Sequence, residues 1–263
     1  MKIQSLHIYP IKSVAAVNVS SLICAERGFE GDRRYMIVDP DGEFLTQRTV
    51  PELGLIHAQL TQGGLALTAN DREILVGTSS GTTMKVQVWS SNVDAVLVAP
   101  SVDAWISDVI GQPAHLVAMP ESVVRLIDPE AGHVEVSFAD GYPYLVANTA
   151  SLDDLNDRIP GHPISMAAFR PNFVVSGAQA WAEDTWKRLR VGDAEFEVVS
   201  PSERCKITTL DPSDPRKVRK DQEPLRTLAK FRRHGDGVIF ASNAICLTPG
   251  VTITVGDVVE LLD

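Results

Sequence analysis

Long hydrophobic runs are missing from this chain. None approaches the roughly 20 residues of a membrane-spanning helix, and the N-terminal stretch MKIQSLHIYPIKSV has no basic region leading into an apolar core. A soluble, cytoplasmic protein without a membrane anchor is therefore expected. Cysteine is scarce. Cys24, Cys205 and Cys246 are an odd set with no close pairing and no Cys-x-x-Cys, which argues against a disulfide framework and against the clustered thiolates of an iron–sulfur site. The six histidines are scattered, with no pair at the i, i+3 or i, i+4 spacing of a helical metal site. Positive charge is also short: 24 Lys and Arg against 34 Asp and Glu leave a net charge of −10, the reverse of a nucleic-acid-binding face. There are no internal repeats and no low-complexity segments.

What remains has the composition of an ordinary soluble globular protein, with 44% hydrophobic and 22% charged residues over 263 positions. That length allows one large domain or two smaller ones. Short β-type runs dominate the first half: 3–9, 17–25, 34–38 and 43–47 around the turn Asp39-Pro-Asp-Gly42, then 58–60, 65–68, 73–76 and 83–89. A helix is expected over 102–110, with Ser101 as cap and Gly111 as stop, followed by a connection around 115–120. A second helix is expected over 151–158, capped by Ser151, and a third over 225–233. Further strands are expected at 173–175, 188–191, 194–199, 206–210, 238–246 and 258–262. The fold class is mainly β with a few helices (α+β), divided near residue 120 into domains 1–120 and 121–263.

Cys205 stands out because it lies between Arg204 and Lys206, just after a Pro-Ser turn. A thiol flanked by cations is favoured as thiolate, the form that attacks electrophiles or binds soft metals. Five further segments place polar or cationic groups at element ends: Tyr9-Pro-Ile-Lys-Ser13, Gly31-Asp-Arg-Arg34, Asn148-Thr-Ala-Ser151, Phe169-Arg-Pro-Asn172 and Ser200-Pro-Ser-Glu-Arg204. They suit an anion pocket, in which a helix start at Ser151 and arginine forks would meet a phosphate. Each also has a plain reading: a solvated turn at Lys12, hairpin ion pairs for Arg33 and Arg34, a helix cap at Ser151, a buried structural pair at Arg170. Cys24 and Cys246, in apolar β surroundings, read as small core residues.

In order along the chain, these segments resemble a known family. Tyr9-Pro-Ile-Lys-Ser13, Gly31-Asp-Arg-Arg-Tyr35, Asn148-Thr-Ala-Ser-Leu152, Phe169-Arg-Pro-Asn172, Arg204-Cys205 before Thr208-Thr-Leu-Asp-Pro212, and Pro224-Leu-Arg-Thr-Leu228 are together similar to the MOSC-domain proteins. The likeness is to the branch with an N-terminal MOSC β-barrel domain, which includes the amidoxime-reducing components. It implies an N-terminal β-barrel-like domain packed on a MOSC β-barrel domain, and a molybdenum cofactor (a Mo-pyranopterin). It further implies Cys205 as metal ligand and catalytic residue, with Lys12, Ser13, Arg33, Thr149, Ser151, Arg170, Asn172, Ser202, Arg204 and Asn243 around the cofactor. Asp211 is the candidate proton donor, although Asp-Pro is equally a turn signal. The implied activity is reduction of small N-hydroxylated compounds to amines. Electrons would come from a separate protein: a ferredoxin, a flavoprotein reductase or a cytochrome b5-type carrier. A cysteine-dependent sulfur carrier and a non-catalytic cofactor-binding module remain as alternatives.

Overall fold

The computed structural model describes residues 1–61, 64–77, 81–127, 133–211 and 214–262; Pro212 of the Thr-Thr-Leu-Asp-Pro segment and Asp263 lie outside them. Its centre is a nine-stranded sheet. The strands run in the order Val17–Val19, Lys2–Ile8, Phe173–Ser176, Tyr144–Asn148, Gly237–Cys246, Ala194–Glu203, Arg188–Val191 and Val259–Leu262, with Arg233–His234 paired to Gly237–Cys246. Two strands from the N-terminal end, Lys2–Ile8 and Val17–Val19, thus join a sheet otherwise built from the second half of the chain. One pair, Tyr144–Asn148 with Phe173–Ser176, is parallel. A parallel pair requires a crossover, and helix α2 (Thr149–Arg158) lies within it.

Alternation along these strands fills two cores. Tyr144, Val146, Phe173, Val175 and Phe196 pack with Ile3, Leu6, Leu22 and Phe29 on one face. Leu145, Ala147, Val174 and Phe240 pack on the other against Leu155 of α2, Ile159 just past its end and Leu228 of α3 (Leu225–Phe231). A period of two residues delivers this division without further instruction.

A second group of strands gathers residues 35–118. Tyr35–Val38, His115–Ala118, Ser91–Leu97 and Thr83–Val88 form a four-stranded sheet, and His57–Thr61, Gly64–Ala69 and Arg72–Val76 a three-stranded one. Helix α1 (Pro100–Ile110) packs on them through Val102, Ile106, Val109 and Ile110. It starts with a proline in its first turn and makes no side-chain cap bond, so Ser101 does not cap it. Four buried apolar side chains at about 1.5–3 kcal/mol each outweigh a missing cap of about 1 kcal/mol. Gly111, at φ +74°, stops the helix as expected.

Several expectations are corrected here. Residues 115–118 are not a connection but a strand between Tyr35–Val38 and Ser91–Leu97. Residues 17–25 form two strands rather than one. Residues 206–209 form a single 3₁₀ turn instead of a strand. Cys24 and Cys246 are brought together in one core cluster, although they lie 222 positions apart, which hid that contact from any spacing argument.

Helix α2 is capped by Asn148, whose Oδ1 accepts from the Ala150 N–H at 3.1 Å. Ser151 lies inside the helix and is fully buried. Its hydroxyl donates to Glu183 Oε2 and accepts from the Trp181 N–H, both at 2.7 Å. Asn148 Nδ2 donates to the same Glu183 oxygen at 3.0 Å. Glu183 is itself fully buried; burial pushes its carboxyl above the usual range, against the hydrogen bonds from Ser151 and Asn148. The folded protein then keeps a proton that the unfolded chain releases above the ordinary value of 4.5. Glu183 therefore contributes stability that is full below that value and is lost as pH rises through the raised folded value. Urea titrations at several pH values are expected to show this loss in the parent protein and its absence in Glu183→Gln. Parallel pH profiles for the two proteins would refute it.

Candidate active site

Five loops converge on one cavity of about 500 Å³. Cys205 reaches it because the strand Ala194–Glu203 ends irregularly, its register shifting between Val198 and Ser200 and again between Pro201 and Glu203. Bulges of this kind re-aim the chain at a sheet edge. The Cys205 carbonyl then accepts from the Thr208 N–H at 3.1 Å and the Thr208 hydroxyl at 3.0 Å. The backbone is fixed while the cysteine itself stays exposed.

Four cations surround the thiol's cavity: Lys12, Arg33, Arg170 and Arg204. Arg33 and Arg170 lie on the ring of buried Tyr9, at 4.7 and 4.1 Å from its centroid, in cation–π geometry. The Tyr9 hydroxyl donates to the Pro171 carbonyl at 3.1 Å and its N–H to Asp32 Oδ1 at 2.7 Å. Burial pushes the Tyr9 hydroxyl up to about 12, although both arginines act against the rise. Asp32 pairs with Arg33, and Arg33 donates to Asn172 Oδ1 at 3.3 Å. Arg170 donates to the Val14 carbonyl at 2.9 Å.

Arg204 donates to Ser202 Oγ at 2.9 Å and to the Phe169 carbonyl at 2.8 Å, and its buried Nε has no partner among the described residues. Burial pulls its pKa down to about 10, opposed by the neighbouring Cys205. Lys12 is 4% exposed; it donates to the Phe138 carbonyl at 2.9 Å and forms an ion pair with Asp140. Burial brings Lys12 down to about 8 against the pull of Asp140. Burial pushes the Asp140 carboxyl up, but Lys12, with the Trp89 N–H and Arg48, more than offsets this and holds it below the usual carboxylate range. Asn243 completes the wall, its Nδ2 donating to Ser200 Oγ at 3.1 Å.

The backbone carries a second mark of a functional site. Ser13, Arg33 and Arg170 have φ of +62°, +50° and +57°, a left-handed conformation that costs a non-glycine residue about 1–2 kcal/mol. Such outliers concentrate where geometry is imposed for function. All three line this cavity.

Of the residues singled out from the sequence, Lys12, Ser13, Arg33, Arg170, Asn172, Ser202, Arg204, Cys205 and Asn243 are brought together here. Thr149 and Ser151 do not line the cavity, and the Ser151 hydroxyl is committed to Glu183 and Trp181. Asp211 lines a smaller neighbouring cavity of about 120 Å³, which shares Arg170 and Ile207 with the first. Tyr9, Asp140 and Tyr142 were missed. The dipeptide Asp140-Gly141 is a turn signal that could have drawn notice, but nothing local announces that its carboxylate meets Lys12.

Comparison with known proteins agrees with this architecture. Residues 1–113 match the MOSC N-terminal beta barrel domain and residues 133–260 the MOSC domain. The chain is 32% identical to the human mitochondrial amidoxime-reducing component 1, covering 99% of this chain and 82% of that protein. It is 32% identical to the rat mitochondrial amidoxime reducing component 2 over 88% of this chain and 72% of that one. It is also 31% identical to the rice molybdenum cofactor sulfurase, of which it covers 32%, across 90% of its own length. A mainly β protein with an N-terminal β-barrel domain and a cationic, thiol-bearing cavity is the class so defined. The chain belongs to the MOSC-domain family, in the branch that joins a MOSC N-terminal β-barrel domain to a MOSC domain.

Proposed function

We propose that this cavity holds a molybdenum cofactor through the Cys205 thiolate, and that the protein reduces small N-hydroxylated compounds to amines. One observation carries the reading: an exposed cysteine opens onto a cavity whose walls supply Lys12, Arg33, Arg170 and Arg204 in a chain of net charge −10. The residues present fit such a group. A soft thiolate suits a sulfur-ligated metal, and the cations suit a phosphate. The unpartnered buried Nε of Arg204 is a donor awaiting an acceptor. The cofactor would supply a two-electron redox centre able to accept oxygen from the substrate.

The chain's own part is binding and orientation. Tyr9 holds the Arg33 and Arg170 forks apart and aimed, while Ser202 and Phe169 fix Arg204 beside the thiol. Lys12 keeps Asp140 ionised, so that carboxylate would accept rather than give a proton. The names of the amidoxime-reducing relatives support the substrate class. We assign electron delivery to a separate protein.

Protein made in a cofactor-competent host is expected to contain close to one Mo and one pterin per chain. It is expected to reduce benzamidoxime with an artificial electron donor. Protein with neither Mo nor pterin would remove the reading. Persulfide on Cys205 without Mo would favour a sulfur carrier instead.

A further inference from the structure

Trp89 occupies a position where a tryptophan has no conformational business. It opens the two-residue turn between the strands Thr83–Val88 and Ser91–Leu97, in which Val88 pairs with Ser91. Tight hairpin turns of this length need a positive φ at their first central residue and usually take glycine, asparagine or aspartate there. Trp89 adopts φ +54° and leaves 42% of its surface exposed. Neither the turn nor the core accounts for so large a ring.

Its contacts point towards the cavity. The indole Nε1–H donates to Asp140 Oδ1 at 3.0 Å, and Asp140 lines the cavity beside Lys12. Phe44 meets the indole at 5.1 Å between centroids and 56° between planes, and Lys12 lies 5.3 Å from the Phe44 ring centroid. The Arg48 guanidinium stacks on the indole at 4.7 Å. The ring is thus anchored through its edge to Asp140 of the cavity wall and braced by two neighbours, itself one residue outside that wall and 42% exposed.

We propose that Trp89, held against the cavity through Asp140, is a specificity-determining residue, a stacking platform that favours planar aromatic N-hydroxylated substrates over small aliphatic ones. The inference rests on the proposed reduction and names the substrate shape selected at the same site. A rigid aromatic surface recognises a flat π-system by offset or edge contact. An aliphatic amidoxime has no π-face to offer it.

The test compares benzamidoxime with acetamidoxime in the parent protein, Trp89→Gly and Trp89→Phe, with Mo content measured for each. Glycine suits the backbone of this turn, so Trp89→Gly is expected to fold. Its preference for benzamidoxime, as the ratio of the two kcat/KM values, is expected to fall about tenfold, or about 1.4 kcal/mol, mainly through KM. Trp89→Phe should keep most of the preference. Calorimetric binding of both compounds to the oxidised, cofactor-loaded proteins, without electron donor, should show the same loss. If Trp89 only braces Asp140, both compounds weaken alike; that result, or no change, overturns the proposal. A parent protein that binds benzamidoxime in preference but reduces neither compound defeats the proposed reaction and leaves the platform standing. One that binds neither defeats the platform.

Discussion

Cys205→Ser is expected to purify folded and nearly free of molybdenum, and to lose at least about a hundredfold in amidoxime reduction. Even groups that merely orient metal ligands contribute about 10–100-fold, and a direct ligand should exceed that. The exchange is conservative for the fold. The exposed side chain changes by one atom, and both Thr208 hydrogen bonds go to the backbone carbonyl of residue 205, which the substitution leaves in place. Residue 205 also precedes the 3₁₀ turn Lys206–Thr209, a position where serine is at home. The hydroxyl is a harder and far weaker acid than a thiol, however, and poorly suited to a soft metal site. Metal analysis beside a thermal melt separates the two effects. A variant with full Mo content and full activity would show that the thiolate is not the ligand.

The second large effect is expected at Tyr9. Tyr9→Ala should destabilise the protein by about 3–5 kcal/mol, the usual cost of removing a large buried aromatic ring, and lower its melting temperature by roughly 10 °C. The ring is 1% exposed and has Arg33 and Arg170 on it. Removing it opens a void and lets two guanidinium groups face each other. Tyr9→Phe keeps the ring and loses only the hydrogen bond to the Pro171 carbonyl, about 1 kcal/mol. If alanine costs no more than phenylalanine, the ring does not space the arginines.

The sequence made the β-rich class legible because alternation of period two survives in several strands, as in Lys2–Ile8 and Arg188–Val191. It made most of the cavity legible because Lys12, Arg33, Arg170 and Cys205 sit in short runs rich in turn residues. It failed where tertiary contacts decide. Lys206-Ile-Thr-Thr209 has β-prone residues, yet the Thr208 bonds to the Cys205 carbonyl wind it into a 3₁₀ turn. Ser151 has the chemistry of a cap, yet Asn148 takes that place and Ser151 turns inward to Glu183. Trp89 read as the end of a strand, and no local rule anticipates an indole at a turn position suited to glycine.

The placement of Lys2–Ile8 within the large sheet has a consequence for the protein's birth. His7 meets Asn172, 165 residues further on, and strand Lys2–Ile8 pairs with Phe173–Ser176. At ordinary ribosomal speeds this strand would wait on the order of ten seconds for its partner. Residues 35–118, with their own cores, can settle in that interval. The strand Lys2–Ile8 is made long before its partner and is among the last to find its place, exposed meanwhile to whatever chaperone or neighbouring strand arrives first.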